Sequence, residues 1–256
     1  MTTAADLRRI QSYLRGAAPR GRDHMQIGPF LATFNRDTDN PFLNYAIPAD
    51  DAVPSRADID ALVDAYRQRN RKPRLEYIPS IAPAVEPALV SAGFEVELRT
   101  PLMTYASARL VAEPDGIELV TATSDDDLGD ASAVQWEAYE ETEPMPQSAV
   151  DGLRRTLDAG GIVVLARDAA SREPAGAGLC TGPYDRTTEL AAVAVRERFR
   201  RRGIAAAMTH RLTAEALARG IDNVFLMADG PAEERIYARV GFETISEVLH
   251  ISLKSA

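Results

Sequence analysis

The residues best suited to chemistry lie in one stretch of the C-terminal half, Val193–Ala205, where an apolar run meets an arginine-rich turn. Gly203 closes the turn, and an apolar helical pattern begins at Ile204. The first N–H groups of an α-helix have no intrahelical partner and carry partial positive charge, so they attract phosphate. The arginines add full positive charge, and glycine lets the backbone approach an anion closely. The turn therefore predicts a pyrophosphate-binding site, with a solvated basic loop as the alternative.

The elements that must position this turn follow from the apolar patterns on either side of it. The helix after Gly203 has apolar residues four apart and stops at Gly220, and a second helix runs from Pro231 to Gly241. Two more helices are predicted, one after Ser124 and one over residues 149–157. Strands are predicted over residues 116–123, 161–167, 175–181, 187–195, 224–228 and 242–253. This order predicts an α/β domain with a mixed sheet.

The N-terminal half repeats the end of this pattern in a weaker form. When the chain is shifted by 148 residues, six of thirteen aligned positions are identical, and the order of the predicted elements agrees. The matching residues are Pro83, Ala84, Glu86, Gly93, Phe94 and Glu95, which fall on Pro231, Ala232, Glu234, Gly241, Phe242 and Glu243. We therefore predict an internal duplication, with one domain over residues 1–110 and a second over residues 111–256.

The segment Glu189–Ala205, followed by a helix, a strand and a later Tyr237 with Gly241-Phe242, resembles the GNAT superfamily of acyl-CoA-dependent N-acyltransferases. The family's signature, Gln/Arg-x-x-Gly-x-Gly/Ala, stands here as Arg200-x-x-Gly203-x-Ala205. The resemblance covers about residues 116–253. It implies an α/β (α+β) chain of tandem GNAT-like folds, each with a mixed, mostly antiparallel sheet flanked by helices.

The resemblance also implies that acetyl-CoA is the cosubstrate. In the family, the strand before the turn pairs through its backbone with the pantetheine amides, which implies Val193, Ala194 and Val195 as contacts. The turn and the first helical turn would then take the pyrophosphate. The residues implied there are Arg200, Arg201, Arg202, Gly203, Ile204 and Ala205.

Two residues are implied to carry the acyl transfer. Tyr237 stands where the family often places a general acid, and its phenol could return a proton to the departing CoA thiolate. The alternative is a tyrosine whose ring packs under the cofactor. Glu189 lies eleven residues before Arg200, which resembles the position of the base glutamate in histone-acetyltransferase-like members. The alternative is a carboxylate at a strand edge that faces solvent.

The N-terminal copy departs from the family's pattern at both functional positions. Around Val53–Arg56 it has no Arg-x-x-Gly-x-Gly/Ala signature, and Leu89 stands in the place of Tyr237. We therefore expect a degenerate N-terminal domain and one active site per chain. The C-terminal copy departs once, because Gly230 stands where many members carry an asparagine.

Other polar residues give weaker signals. A carboxylate-rich wall that attracts an ammonium group, or simply a solvated helix end, is predicted from Glu137, Tyr139, Glu140, Glu141 and Glu143. Trp136 is predicted as a pocket platform or a core anchor, and Cys180 as a buried structural thiol. The three histidines show no metal-binding spacing, so no metal site is predicted.

Composition limits the class of protein. A net charge of −9 argues against nucleic-acid binding, and the longest apolar runs fall short of the roughly twenty residues that span a bilayer. The single cysteine and the N-terminal residues, which lack the apolar region of a secretory signal, lead us to expect a cytoplasmic protein. The sequence predicts an N-acetyltransferase acting on a small-molecule, peptide or protein amine, and leaves a homodimer open. The alternative is a non-catalytic acyl-CoA-binding sensor.

Overall fold

In the computed structural model, which describes residues 4–36, 38–138 and 143–254, the chain forms two compact units. Unit 1 consists of Met1–Leu102 and Thr244–Ala256, and unit 2 of Met103–Glu243. The described residues form seven α-helices and eleven β-strands, and most strand pairs are antiparallel. None of these helices is long and apolar enough to cross a membrane. The predicted α/β fold class is confirmed.

Unit 1 begins with a helix and a small meander of strands. Its elements are α1 (Ala4–Ala17), β1 (Asp23–Ile27), β2 (Phe30–Phe34), β3 (Ala46–Pro48), α2 (Arg56–Arg67), β4 (Arg74–Tyr77), α3 (Val85–Ser91) and β5 (Phe94–Tyr105), whose end belongs to unit 2. β2 pairs antiparallel with β1 and β3, and β3 pairs parallel with β4. Helix α2 begins at a capping box in which Ser55 and Asp58 bond each other's backbone N–H groups.

Unit 2 contains the elements predicted for the C-terminal half, each within two residues of its predicted bounds where both bounds were given. They are β6 (Ile117–Thr121), α4 (Asp125–Ala138), α5 (Gln147–Asp158), β7 (Ile162–Asp168), β8 (Pro174–Cys180), β9 (Thr187–Val195), α6 (Ile204–Ala218), β10 (Asn223–Met227), α7 (Pro231–Val240) and β11 (Phe242–Leu253). Strands β6 to β9 pair antiparallel in chain order, and β10 pairs parallel with β9.

The sheet of unit 2 is buried on both faces, which explains its continuous apolar strands. Along β7, Ile162, Val164 and Ala166 pack on the cluster that contains the buried side of α6. The alternating residues Val163 and Leu165 pack on the opposite cluster, beneath α4 and α5. Because side chains alternate along a strand, every β7 residue from 162 to 166 is buried.

The last strand of the chain belongs mostly to unit 1. Leu249 and Ile251 of β11 pair antiparallel with Tyr77 and Leu75 of β4. Both β11 side chains have no exposed surface and lie in the core of unit 1. The N-terminal unit is therefore completed by residues from the far end of the sequence.

The bounds of the compact units differ from the predicted domain bounds. The sequence places one boundary between residues 110 and 111, whereas the units divide after Leu102 and again after Glu243. The second division could not be predicted from local sequence patterns, because the pairing of β11 with β4 joins residues far apart in the chain. The assignment of residues 1–110 to a GNAT-like domain stays a prediction.

A buried arginine organises the polar part of unit 1. The Arg74 side chain has no exposed surface and forms ion pairs with Glu76 and, at 2.7 Å from Nε, with Glu97. Its NH2 lies 2.9 Å from Nδ1 of His250. Because a guanidinium only donates, Nδ1 accepts this bond and Nε2 carries the hydrogen towards Thr100 Oγ1, at 3.0 Å.

We expect this cluster to make unit 1 sensitive to acid. Burial opposes ionisation of Glu97, but hydrogen bonds from Lys72, Ser252 and Arg74 outweigh it and lower its pKa to about 2. A carboxyl group whose pKa is lowered by folding stabilises the folded state above its unfolded pKa of about 4.3. That contribution is lost as the pH falls from about 4 to about 2. Thermal melts of Glu97→Gln should show a weaker dependence on pH over this window.

The control for this variant is Glu95→Gln on the same strand. Glu95 is exposed and pairs with Lys254 at 2.8 Å, so its removal should change the free energy of unfolding by less than about 1 kcal/mol. Glu97→Gln leaves a buried guanidinium short of a counter-charge and should cost on the order of 3 kcal/mol at pH 7. Equal melting temperatures for the two variants would contradict the role given to Glu97.

We also expect Ile251→Ala to destabilise unit 1 by about 2–5 kcal/mol, since it opens a cavity in the core. Amide hydrogen exchange should become faster at Leu75 and Tyr77, the β4 residues that pair with Ile251 and Leu249. Ile245→Ala, at a half-buried position of the same strand, serves as the control with a smaller loss. Unchanged exchange at β4 would refute the placement of β11 in unit 1.

Candidate functional site

A cleft of about 1000 Å³ opens within unit 2, along the second half of β9. Its walls come from β9, the turn that follows it, the first turn of α6, the end of β10 and one face of α7. The lining residues are Ala138, Glu189, Leu190, Ala191, Ala192, Val193, Ala194, Val195, Phe199, Arg200, Arg201, Gly203, Ile204, Ala205, Ala206, Met227, Asp229, Glu233, Ile236, Tyr237 and Arg239.

The cleft forms where two parallel strands part. Among the described residues, register pairs join β9 and β10 from Thr187 to Glu189, and β9 then continues to Val195. Backbone N–H and C=O groups on that edge of β9 face the cleft instead of a neighbouring strand. Buried backbone groups need hydrogen-bond partners, so an extended, amide-containing ligand could pair with β9 as another strand does.

A β-bulge interrupts β9 inside the cleft. Ala177 pairs with Ala194 and Leu179 with Ala191, so Gly178 alone stands opposite Ala192 and Val193. Ala192 has a φ of +52°, in the left-handed region that costs a non-glycine residue on the order of 1 kcal/mol. The extra residue shifts the alternation of side chains along β9. Leu190 and Val193, three residues apart, therefore both pack on the α6 side of the sheet.

The N-terminus of α6 is open at the edge of the cleft. Gly203 is its N-cap residue, with a φ of +80°, and no side chain caps the helix there. Ile204 is buried in the core and anchors the first turn, while Ala205 and Ala206 line the cleft. A Cβ at Gly203 would meet no atom within 4 Å. The helix therefore presents unpaired N–H groups and partial positive charge to the cleft.

The arginines of the turn divide into two groups. Arg200 and Arg201 line the cleft, and Arg200 Nε donates to the carbonyl of Val195 at 3.1 Å. Arg202 lies outside the lining; its NH2 donates to the carbonyl of Asp115 at 2.9 Å, and its guanidinium stacks over Phe199. Of the arginines in the turn, Arg200 and Arg201 therefore place positive charge in the cleft lining, beside the open end of α6.

Tyr237 and Glu189 line the same cleft from different elements. Tyr237 lies on α7, and its ring centroid is 6.3 Å from that of Phe242, the residue after the helix-ending Gly241. Phe242 in turn contacts Tyr105 edge to face at 5.5 Å. The Gly-Phe pair thus fixes the end of α7 and the tyrosine ring. Glu189 is half-buried, and its backbone N–H donates to Thr181 Oγ1 at 3.1 Å.

The structure brings together all of the predicted site residues except Arg202, whose side chain lies elsewhere. Their roles stay predictions. Several lining residues were not predicted, among them Ala192, Asp229 and Arg239. Glu233 could have been found, since it lies four residues before Tyr237 and therefore on the same helix face. No sequence signal marks the bulge, because alanine is not a residue type that favours a positive φ.

The weaker candidates have local roles in the structure. Trp136 is half-buried and donates to the carbonyl of Glu143 at 2.8 Å, and Glu137 forms an ion pair with Arg196 at 2.9 Å. Burial raises the pKa of the Cys180 thiol to about 12, which is consistent with a structural thiol. Tyr139, Glu140 and Glu141 lie outside the described residues. Among the described residues, no group of histidine, cysteine or carboxylate side chains could hold a metal ion.

Unit 1 has a helix at the corresponding place in its element order, but its N-terminus is already occupied. The Asp58 carboxylate of α2 accepts from the Ser55 N–H at 2.8 Å, and Ser55 Oγ accepts from the Asp58 N–H at 3.2 Å. A Cβ on Gly28 would lie within 2.2 Å of the Asp58 carboxylate, so the chain packs closely over this end. An anion at α2 would compete with the Ser55 hydroxyl for the Asp58 N–H and would be repelled by the Asp58 carboxylate.

Comparison with protein families gives one match. Residues 128–242 match the model of the acetyltransferase (GNAT) family. This segment contains β9, α6, β10 and α7, and hence almost all of the cleft-lining residues. No curated protein matches the chain.

Solved structures share the fold. A GCN5-related N-acetyltransferase from Kribbella flavida is 23% identical, with a TM-score of 0.78 over 100% of this chain and 98% of that one. A tandem GNAT protein from the clavulanic acid biosynthesis pathway is 14% identical, with a TM-score of 0.65 over 89% of this chain and 79% of that one. A GCN5-related N-acetyltransferase from Sphaerobacter thermophilus is 17% identical, with a TM-score of 0.58 over 90% and 82%. At these identities the likeness concerns the fold.

Proposed function

Because residues 128–242 match the model of the GNAT acetyltransferase family, we propose that this chain is an N-acetyltransferase that moves an acetyl group from acetyl-CoA to an amine. The observation that carries the proposal is the cleft, which joins an uncapped helix N-terminus, an unpaired strand edge and Tyr237. These three features suit the three parts of an acyl-CoA: the pyrophosphate, the pantetheine amides and the thioester.

Binding would hold the thioester along the bulged part of β9. The N–H groups of α6, with Arg200 and Arg201, would take the pyrophosphate, and the β9 backbone would pair with the pantetheine amides. Arg202 would contribute only through its backbone, because its side chain is engaged with Asp115. Holding the acceptor beside the thioester makes its attack effectively intramolecular, which supplies much of the rate enhancement.

The transfer itself would be direct. Glu189 would take a proton from the acceptor ammonium, and the free amine would attack the thioester carbon, whose carbonyl the β9 N–H groups polarise. The new C–N bond forms as the C–S bond breaks, and the electron pair leaves on sulfur. Tyr237 would give its proton to the thiolate and then regain a proton from the attacking nitrogen, which loses it to become a neutral amide. Glu189 would release the proton that it took from the ammonium to solvent, and the products are CoA and the N-acetylated amine.

We propose one active site per chain, in unit 2. The N-terminus of α2 is closed by the capping box of Ser55 and Asp58, and Leu89 stands at the position that corresponds to Tyr237. These two differences support a degenerate N-terminal copy of the fold. We further propose that the acceptor is a small-molecule, peptide or protein amine and that the reaction takes place in the cytoplasm, without nucleic-acid or membrane partners.

An acyl-CoA sensor without catalysis would need the cofactor contacts but neither Tyr237 nor Glu189. Their position in the cleft supports the enzyme. A screen of amine classes for release of free CoA thiol decides between the two. Thiol release that depends on the amine supports the enzyme, whereas tight CoA binding without release with any amine supports the sensor.

Gly203→Asp should weaken CoA binding, measured by calorimetry, by well over tenfold. The new carboxylate, at the N-cap position that Ser55 holds in α2, would accept from the N–H groups of α6 and repel the pyrophosphate. The matched control is Gly220→Asp at the other end of α6, where φ is +78° and a Cβ also meets nothing within 4 Å. Both variants carry the same backbone strain and the same charge change. Equal CoA affinities in the two variants would exclude α6 as the pyrophosphate site.

Tyr237→Phe should lower kcat for acetyl transfer by about tenfold or more while the Kd for CoA changes by less than about twofold, since the ring stays and only the hydroxyl group is lost. Tyr184→Phe provides the control, because Tyr184 is exposed and lies outside the cleft lining. If Tyr237→Phe turns over as fast as the control, the tyrosine is a packing residue and not the general acid.

A further inference from the structure

A buried glutamine on α4 contacts a strained residue of β9 in the cleft. Gln135 Nε2 donates to the carbonyl oxygen of Ala192 at 3.0 Å, and only 9% of the Gln135 residue is exposed. Ala192 is the bulge residue of β9, with a φ of +52°. The bond therefore joins the helix on one face of the sheet to the point where β9 departs from regular pairing.

The strain at Ala192 needs an external constraint. A non-glycine residue stays in the left-handed region only where its surroundings over-determine it. One constraint comes from β8, where a Cβ on Gly178 would lie 3.2 Å from the Val193 side chain and 3.5 Å from its Cα. Glycine at that position lets the bulged backbone approach β8. The hydrogen bond from Gln135 supplies the second constraint, on the carbonyl of Ala192 itself.

The bulge decides which backbone groups and side chains of β9 face the cleft. A regular strand would shift Val193, Ala194 and Val195 by one position relative to β8 and turn each side chain to the other face. Val193 and Val195 pack on the α6 cluster, whereas Ala192 and Ala194 pack beneath α4. Loss of the bulge would thus both disturb the core and remove the unpaired edge that lines the cleft.

We propose that Gln135 is a positioning residue for acyl-CoA. Its amide holds the Ala192 carbonyl and thereby fixes the bulge that presents the β9 backbone to the cosubstrate. Gln135 does not line the cleft itself. This inference rests on the proposed function, because it assigns the bulge to CoA binding.

The test is Gln135→Met, which keeps the length of the side chain and removes the amide donor. The Kd for coenzyme A, measured by calorimetry, should rise about five- to tenfold, the value of one hydrogen bond lost from the binding-competent state. Hydrogen exchange at Ala191–Val193 in the unliganded protein should become about tenfold faster.

The matched control is Gln11→Met in unit 1. Gln11 is also a buried helix glutamine, and its Nε2 donates to the carbonyl of Pro48 at 3.1 Å. That variant also loses the bond that Gln11 Oε1 accepts from the Ile78 N–H at 3.1 Å, so it should cost at least as much stability as Gln135→Met. Its CoA affinity should nevertheless stay within about twofold of the wild type.

A double-variant cycle separates positioning from packing. Glycine tolerates a φ of +52° without strain, so the bulge of an Ala192→Gly chain depends less on the hydrogen bond from Gln135. The increase in Kd caused by Gln135→Met should therefore be smaller on the Ala192→Gly background than on the wild-type background. Equal increases on both backgrounds would mean that Gln135 acts through packing alone, and would overturn the inference.

The outcomes also distinguish this inference from the proposed function. If the wild-type chain does not bind coenzyme A, the proposed function fails and the inference fails with it. If the wild type binds and Gln135→Met binds equally well, only the role of Gln135 is overturned.

Discussion

The cleft of unit 2 depends on one constraint, which is that β9 leaves part of its backbone unpaired. β9 and β10 pair only from Thr187 to Glu189 among the described residues, and β9 continues to Val195 beside open space. Unpaired backbone groups are costly when buried, so such an edge persists in a folded protein where water or a ligand satisfies it. The bulge at Ala192 and the open end of α6 extend the same polar lining towards Gly203.

The two units share a helix–strand order, but the N-termini of the corresponding helices, α6 and α2, differ. α6 and α2 both lead into a strand that pairs parallel with an earlier one, β10 with β9 and β4 with β3. At α6 the N-terminus is capped by glycine alone, whereas at α2 a capping box occupies it. A capping box stabilises a helix by about 1 kcal/mol, but it occupies an N–H group of the first turn and adds a carboxylate that repels an external anion. The N–H groups of a helix N-terminus can therefore stabilise the helix through a side-chain cap, as in α2, or remain available to an anion, as in α6.

Local sequence patterns were sufficient for most of this architecture. Gly203, Tyr237 and the apolar runs of β7 to β9 could be placed because caps, spacing and periodicity act over a few residues. The bulge could not be predicted, since Ala192 is an alanine and its φ follows from Gly178 opposite and Gln135 above it. The side chain of Arg202 could not be placed either, because its partner Asp115 is distant in sequence. In both cases the conformation depends on a contact between residues far apart in the sequence, which the pattern of a single segment cannot predict.

The course of β11 has a consequence for how the two units can be studied. The strand begins at Phe242, which packs on Tyr237 and Tyr105 within unit 2, and it continues into Leu249 and Ile251 in the core of unit 1. A fragment that begins near residue 111 would carry β11 without β4, its antiparallel partner at Leu249–Ser252. The unpaired strand would expose backbone groups and apolar side chains that promote aggregation. Failure of such a fragment to bind CoA would then reflect a missing strand, so the function of unit 2 must be measured in the full chain.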